Sequence, residues 1–219
     1  MPEAEPQGGH VIDRDKLPVD YPTHSHDPQF WEELGRTVAV FGFLEEMLGK
    51  AIFALTGMRK FDPDGDPNAF AEWIKTLEKA ITDQLGGLII IFEKALADND
   101  MAKDIDFSGL TAELKKAKDI RNVLCHCSWG KPDDQGRTVP KFVNRKLAVF
   151  ESPVDVEFLQ TTRKAVVDLT CDVLDSVTLL GIQFPGSESP GQRLWSDPQA
   201  LRTSLGRDEA APDATAGPD

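Results

Sequence analysis

The sequence predicts a mostly α-helical protein: an up-and-down bundle with a small β-hairpin or extended excursion before its last long helix. Three observations carry that expectation. Large apolar residues recur every three or four positions over long runs, the period of a helix with one buried face. Asp-Pro and Ser-Pro pairs stand at the head of three of those runs, where a capping side chain and a fixed φ favour a helix start. The prolines also avoid the middle: five lie in residues 1–28, five in 182–219 and five in the 153 residues between.

The first 27 residues show no amphipathic period and carry His10, His24 and His26, so 1–27 is expected to be weakly ordered. Asp27-Pro28 then opens a long helix, with Phe30, Leu34, Val38, Phe41, Leu44, Leu48, Ile52 and Leu55 on its apolar stripe and Gly57 at its end. Asp66-Pro67 repeats the start signal for Phe70, Trp73, Ile74, Leu77, Ile81 and Leu85, with Gly86-Gly87 as the stop. A third helix is expected from Leu88 to about Ala97. Ser108 opens a fourth, carrying Leu110, Leu114, Ala117, Ile120 and Leu124. Between Trp129 and Glu151, the turn chemistry of Asp133-Asp134-Gln135-Gly136 and the β-favouring Val139, Phe142, Val143, Leu147, Val149 and Phe150 predict the excursion. Ser152-Pro153-Val154-Asp155 reads as a capping box for the last helix, whose stripe is Val156, Leu159, Val166, Leu169, Val173, Val177 and Leu180, stopped by Gly181. Residues 28–181 are thus expected to form one domain. Residues 182–219 are expected to be a largely disordered tail, with room for a short helix around Trp195 to Leu205.

The 219 residues carry a net charge of −13, which argues against non-specific coating of DNA and against anionic membrane surfaces. The longest aliphatic–aromatic run, Leu88 to Phe92, is far short of the ~20 residues a membrane span needs. Met1 to His10 does not resemble a signal segment, and three cysteines make no disulfide framework. The expected location is a reducing cytoplasm.

Glycine-rich phosphate loops, GxSxG, HExxH and Cys-x-x-Cys patterns are missing. Cys125-His126-Cys127 has metal-binding residue types, but adjacent helical side chains point ~100° apart and cannot converge on one ion. Cys125 and Cys171 are expected to be small core residues. Asp62, Asp64 and Asp66 around Gly65 form part of a calcium-loop pattern, which Pro63 and Pro67 interrupt, and are expected to be a turn. No metal and no cofactor are expected.

The remaining pattern is Arg121-Asn122-Val123-Leu124-Cys125-His126. Arginine followed by asparagine, with histidine four residues further on, resembles the Rx4–6H motif of HEPN domains. Gly35-Arg36 and Phe43-Leu44-Glu45 in the first helix, Ser128-Trp129 after the motif and the long closing helix are similar to that superfamily over residues 28 to 181. One departure is that cysteines flank His126, where many such relatives carry a small residue before it and glycine after it. The resemblance implies a metal-independent endoribonuclease, paired two-fold so that both motifs face one cleft. It also implies a toxin or antiviral-defence setting with an antitoxin or other restraining protein.

The residue chemistry is compatible with this. RNA is cut without metal when its own 2′-hydroxyl attacks the adjacent phosphate. Histidine, with an ordinary pKa of about 6.5, can transfer the proton. Arginine supplies a permanent bidentate cation for the phosphate oxygens, and Asn122 can orient either group. Residues 103–146 hold ten Lys and Arg against six acids, +4 in a protein of −13, which marks Lys115, Lys118 and Lys131 as RNA contacts. Trp129, just past the motif, is the aromatic left for stacking on a base. The competing readings are a non-catalytic HEPN-like module that binds RNA, a nucleotide or a partner protein, and a plain dimeric scaffold. In those readings Arg121 complements a helix dipole, His126 is a satisfied packing histidine and the lysines are a solvated face.

Overall fold

The computed structural model describes residues 12–57, 66, 68–144, 147 and 149–186. Within them the chain forms α1 (Pro28–Gly57), α2 (Ala69–Thr82), α3 (Leu85–Ala97), α4 (Ser108–His126) and α5 (Val156–Leu179). The helical bundle is therefore as the sequence predicts. Asp62 and Asp64 of the expected turn, Arg145 and Lys146 of the basic stretch, and the expected helix around Trp195–Leu205 lie outside the described residues.

The long first helix is the spine: α1 packs most extensively on α5 and also touches α2, α3 and α4. Asp27 caps it, its Oδ1 accepting from the Gln29 N–H at 2.8 Å. Phe30, Phe41, Leu44, Leu48, Ile52 and Leu55 are buried as their spacing predicts, whereas Val38 remains 37% exposed. The Thr37 hydroxyl lies within hydrogen-bond distance of the Leu159 carbonyl at 3.2 Å, tying α1 to the start of α5. Asn99 donates from Nδ2 to the Leu55 carbonyl at 3.1 Å and so satisfies an acceptor at the C-terminal end of α1.

Two helix boundaries differ from the sequence reading. The break between α2 and α3 falls at Asp83-Gln84, where the backbone is extended, not at Gly86-Gly87, which lie within the first turn of α3. Leu85 is 1% exposed because it opens α3, not because it continues the α2 stripe. Its N–H donates to Glu45 Oε1 of α1 at 3.1 Å, so the helix start is set by a partner distant in sequence. Glycine at 87 has a steric reason: a Cβ there would lie 2.6 Å from Asp83 Oδ2. At α5, the cap is Asp155, which accepts from the Phe158 N–H at 2.8 Å. Ser152 and Pro153 precede the helix, because Val154 is occupied pairing with Thr138.

Between α4 and α5 the chain is an extended excursion. Among the described residues it holds isolated antiparallel bridges, Ser128 with Lys141, Thr138 with Val154 and Val143 with Val149, and no β-strand. Thr138 is 3% exposed and exchanges both backbone hydrogen bonds with Val154, at 2.9 and 2.7 Å. No described helix is long and apolar enough to cross a membrane.

Candidate functional site

Alpha-helix α4 runs regularly through the whole Arg121–His126 motif and ends at His126, after which Cys127 is extended. Five residues of helix separate the two groups by ~140° around the axis and ~7.5 Å along it. Neither a kink nor an early helix end brings arginine and histidine of one copy together. His126 is exposed, and Asn122 is half-buried.

Arg121 is already engaged. Its Nη2 lies 3.4 Å from Glu45 Oε1, and the two side chains are 17% and 25% exposed. The same carboxylate oxygen accepts the Leu85 N–H. Glu45 thus joins three elements: it sits on α1, closes the N-terminal end of α3 and holds the α4 arginine. Glu45 belongs to the Phe43-Leu44-Glu45 pattern of the first helix, but no linear spacing signals this bridging role.

The basic stretch is largely neutralised locally. Lys103 pairs with Asp100, Lys115 with Glu93, Lys116 with Glu113, Lys118 with Asp119 and Arg137 with Asp133. Among the described cations of residues 103–146, that leaves Lys131 and Lys141 without an ion pair. Exposed pairs of this kind hold their partners by only ~0.2–1 kcal/mol, so a phosphate can recruit such lysines. Their long-range field nevertheless cancels against the neighbouring acids, and steering by this surface is weaker than the bare count of lysines suggests.

Trp129 packs in an aromatic cluster. Its ring meets Phe30 edge-on at 5.1 Å between centroids and Trp31 at 6.3 Å, with His26 at 6.4 Å. Trp31 donates its indole N–H to the Thr23 carbonyl at 2.7 Å, and His26 stacks on Phe30 at 4.4 Å. The half-buried Trp129 therefore pins the chain just after the motif to the start of α1, and only its uncovered part is open to a base.

The cysteines correct one expectation. Cys125 and Cys171 are exposed, not core residues, because each points away from the buried stripe of its helix. Burial pushes the Cys127 thiol up to about 11, which keeps it protonated and a poor nucleophile at neutral pH. Among the described residues no group of three His, Cys, Asp or Glu side chains converges as a metal-ligand set.

No family model matches this chain, and neither the curated proteins nor the solved structures searched contain a match.

Proposed function

We propose that this chain is a metal-independent endoribonuclease of HEPN type, acting in the cytoplasm as a two-fold dimer. The observation that carries the reading is the pair at the end of α4: an exposed His126, and Arg121 held at a fixed place five residues earlier. In this reading Arg121 stabilises the five-coordinate phosphate and His126 transfers the proton between the 2′-hydroxyl, the leaving oxygen and water. Asn122 orients one of them, and Lys115, Lys118, Lys131 and Trp129 contact the strand. Because one helix directs Arg121 and His126 apart, each arginine works with the histidine of the second copy across an isologous interface. A toxin or defence setting, restrained by an antitoxin-like protein, is the biological context this reading implies.

The test is incubation with total RNA in EDTA, with analysis of fragment ends. Cleavage should persist and leave 2′,3′-cyclic phosphates. His126→Ala and Arg121→Ala should each lower the rate by at least ~10²-fold, the low end for a positioned proton-transfer group. If subunits exchange, mixing the two variants should restore part of the activity. Wild-type rates in both variants would remove the assignment.

The engagement of Arg121 by Glu45 favours a second reading: a non-catalytic module of the same architecture that binds RNA, a nucleotide or a partner protein. It predicts RNA retention without fragments, and loss of retention in Lys131→Glu.

A further inference from the structure

One face of α1 is left uncovered by the other described elements. Glu32, Arg36, Ala39, Phe43, Glu46 and Lys50 follow one another at intervals of four, three, four, three and four residues, which keeps them on one line along the helix. All are exposed except the half-buried Lys50, and Phe43 is open by 49%. Gly35 and Gly42 flank this line, and a Cβ at either would meet nothing within 4 Å, so a second backbone can approach closely. Toward α2 the line borders a groove of about 620 Å³, which Glu46, Lys50 and the 84%-exposed Ile81 help to line.

We propose that this face pairs with the same face of a second copy, the two α1 helices running antiparallel about a two-fold axis at the level of residue 41. The order of the side chains carries the argument. In that register Glu32 faces Lys50 of the second copy, Arg36 faces Glu46 and Ala39 faces Phe43. The axis repeats each contact, so four charge pairs of opposite sign surround a centre where a small side chain meets a large one. Parallel helices in register would instead set each charge against its own copy. Within one molecule Glu32 already pairs with Arg36 and Glu46 with Lys50, both at 2.7 Å. Those pairs need not break. Both run acid before base along the chain, so antiparallel helices stack them head to tail, and each carboxylate gains a second cation across the interface. Removing Phe43 and Ile81 from water drives the association, and the charges set its register. Glu45, which holds Arg121, lies ~100° or more around α1 from every member of the line. The contact is therefore separate from the motif-to-motif interface of the ribonuclease reading and does not rest on it. With both contacts the assembly has four copies, and with this one alone it has two.

Sedimentation of the full-length protein from about 1 to 100 µM tests it, using paired charge reversals. Glu32→Lys with Arg36→Glu, and Glu46→Lys with Lys50→Glu, each retain an opposite-charge pair four residues apart on the helix surface and so retain the fold. Alone, each double variant sets like charge against like across the axis and should associate through this face at least about tenfold more weakly than wild type. Mixed one to one, the two variants again meet with opposite charges at every pair, and the mixture should regain the wild-type mass. A wild type that stays monomeric at ~100 µM, variants that associate as wild type does, or a mixture no heavier than its components each overturns the proposal.

Discussion

Replacing Glu45 by glutamine separates the structural and functional roles of Arg121. The side chain keeps its length, so the amide oxygen can still accept the Leu85 N–H, now held at 3.1 Å. What goes is the charge. A hydrogen bond to a charged group contributes ~1.5–3 kcal/mol and a neutral one ~0.5–1.5, so the α3 start weakens by about 1 kcal/mol. The pair with Arg121, at 3.4 Å and three-quarters or more buried on both sides, adds up to ~1 kcal/mol. The sum is about 1–2 kcal/mol. In a protein of this size each kcal/mol moves Tm by ~2–4 °C, so calorimetry should show a fall of about 2–8 °C. Cleavage should respond in the opposite sense. Arg121 loses the carboxylate that competes with phosphate, and RNA affinity should rise by about fivefold for each kcal/mol so released. If Glu45→Gln instead abolishes cleavage as completely as Arg121→Ala, the arginine acts by holding the fold together, and its role on phosphate is refuted. An unchanged Tm would refute the bridging role of Glu45.

Four further outcomes follow from two buried groups and from the space around two glycines. Asp175 is 8% exposed, its Oδ2 has no hydrogen-bond partner among the described residues, and burial raises its pKa to about 6. The folded state therefore binds more protons than the unfolded chain between about pH 4 and 6, and stability falls as pH rises through that window. Asp175→Asn should stabilise by about 1 kcal/mol in urea melts at pH 7 and by almost nothing at pH 4. His26 titrates with the opposite sign. Burial lowers its pKa and both ring nitrogens lack partners among the described residues, so acidification below about 6.5 protonates the unfolded chain first and costs stability. His26→Phe should flatten that loss when denaturation midpoints at pH 7.5 and 5 are compared with wild type. A Cβ at Gly49 would lie 2.8 Å from the Ala80 carbonyl oxygen, so Gly49→Ala should cost ~1–3 kcal/mol by forcing α2 off α1. Gly35, with nothing within 4 Å, should instead gain up to ~1 kcal/mol as alanine in the same melts.

The helices were legible because each spine residue repeats at the helical period: Leu44, Leu48, Ile52 and Leu55 needed no knowledge of their neighbours to be placed inside. The boundaries were less so. Glycines at 86 and 87 look like a stop, yet the stop is an extended Asp83-Gln84 whose next amide finds an acceptor on α1. Ser152 and Asp155 are both good caps by residue type, and pairing of Val154 with Thr138 decides between them. At the candidate site, Lys116 with Glu113 and Lys103 with Asp100 are three apart, so their pairing could be counted along the helix or turn. Lys115 with Glu93 and Arg121 with Glu45 join different helices and depend on the packing. The motif itself was visible as spacing. The commitments of Arg121 and Trp129 were not, because both are made with α1.

The double pairing of Thr138 with Val154 has a consequence for how the molecule tolerates change in chain length. The excursion leaves α4 one residue after His126 and is cinched near both ends, by Ser128 with Lys141 and by Thr138 with Val154. Beyond those ties the chain closes again where Val143 pairs with Val149, and the Leu147 N–H donates to the Asn144 carbonyl at 2.9 Å. Residues added between Asn144 and Val149 lengthen a loop whose ends are already fixed, and each doubling of a flexible loop costs only ~0.6 kcal/mol in closure entropy. The same insertion between His126 and Ser128 would leave those ties in register but fall between the end of α4 and the first of them, changing how the tied excursion joins the helix end that carries the imidazole. This stretch therefore has a permissive tip and an intolerant root. A tag or reporter grafted at the tip should leave the histidine where it is.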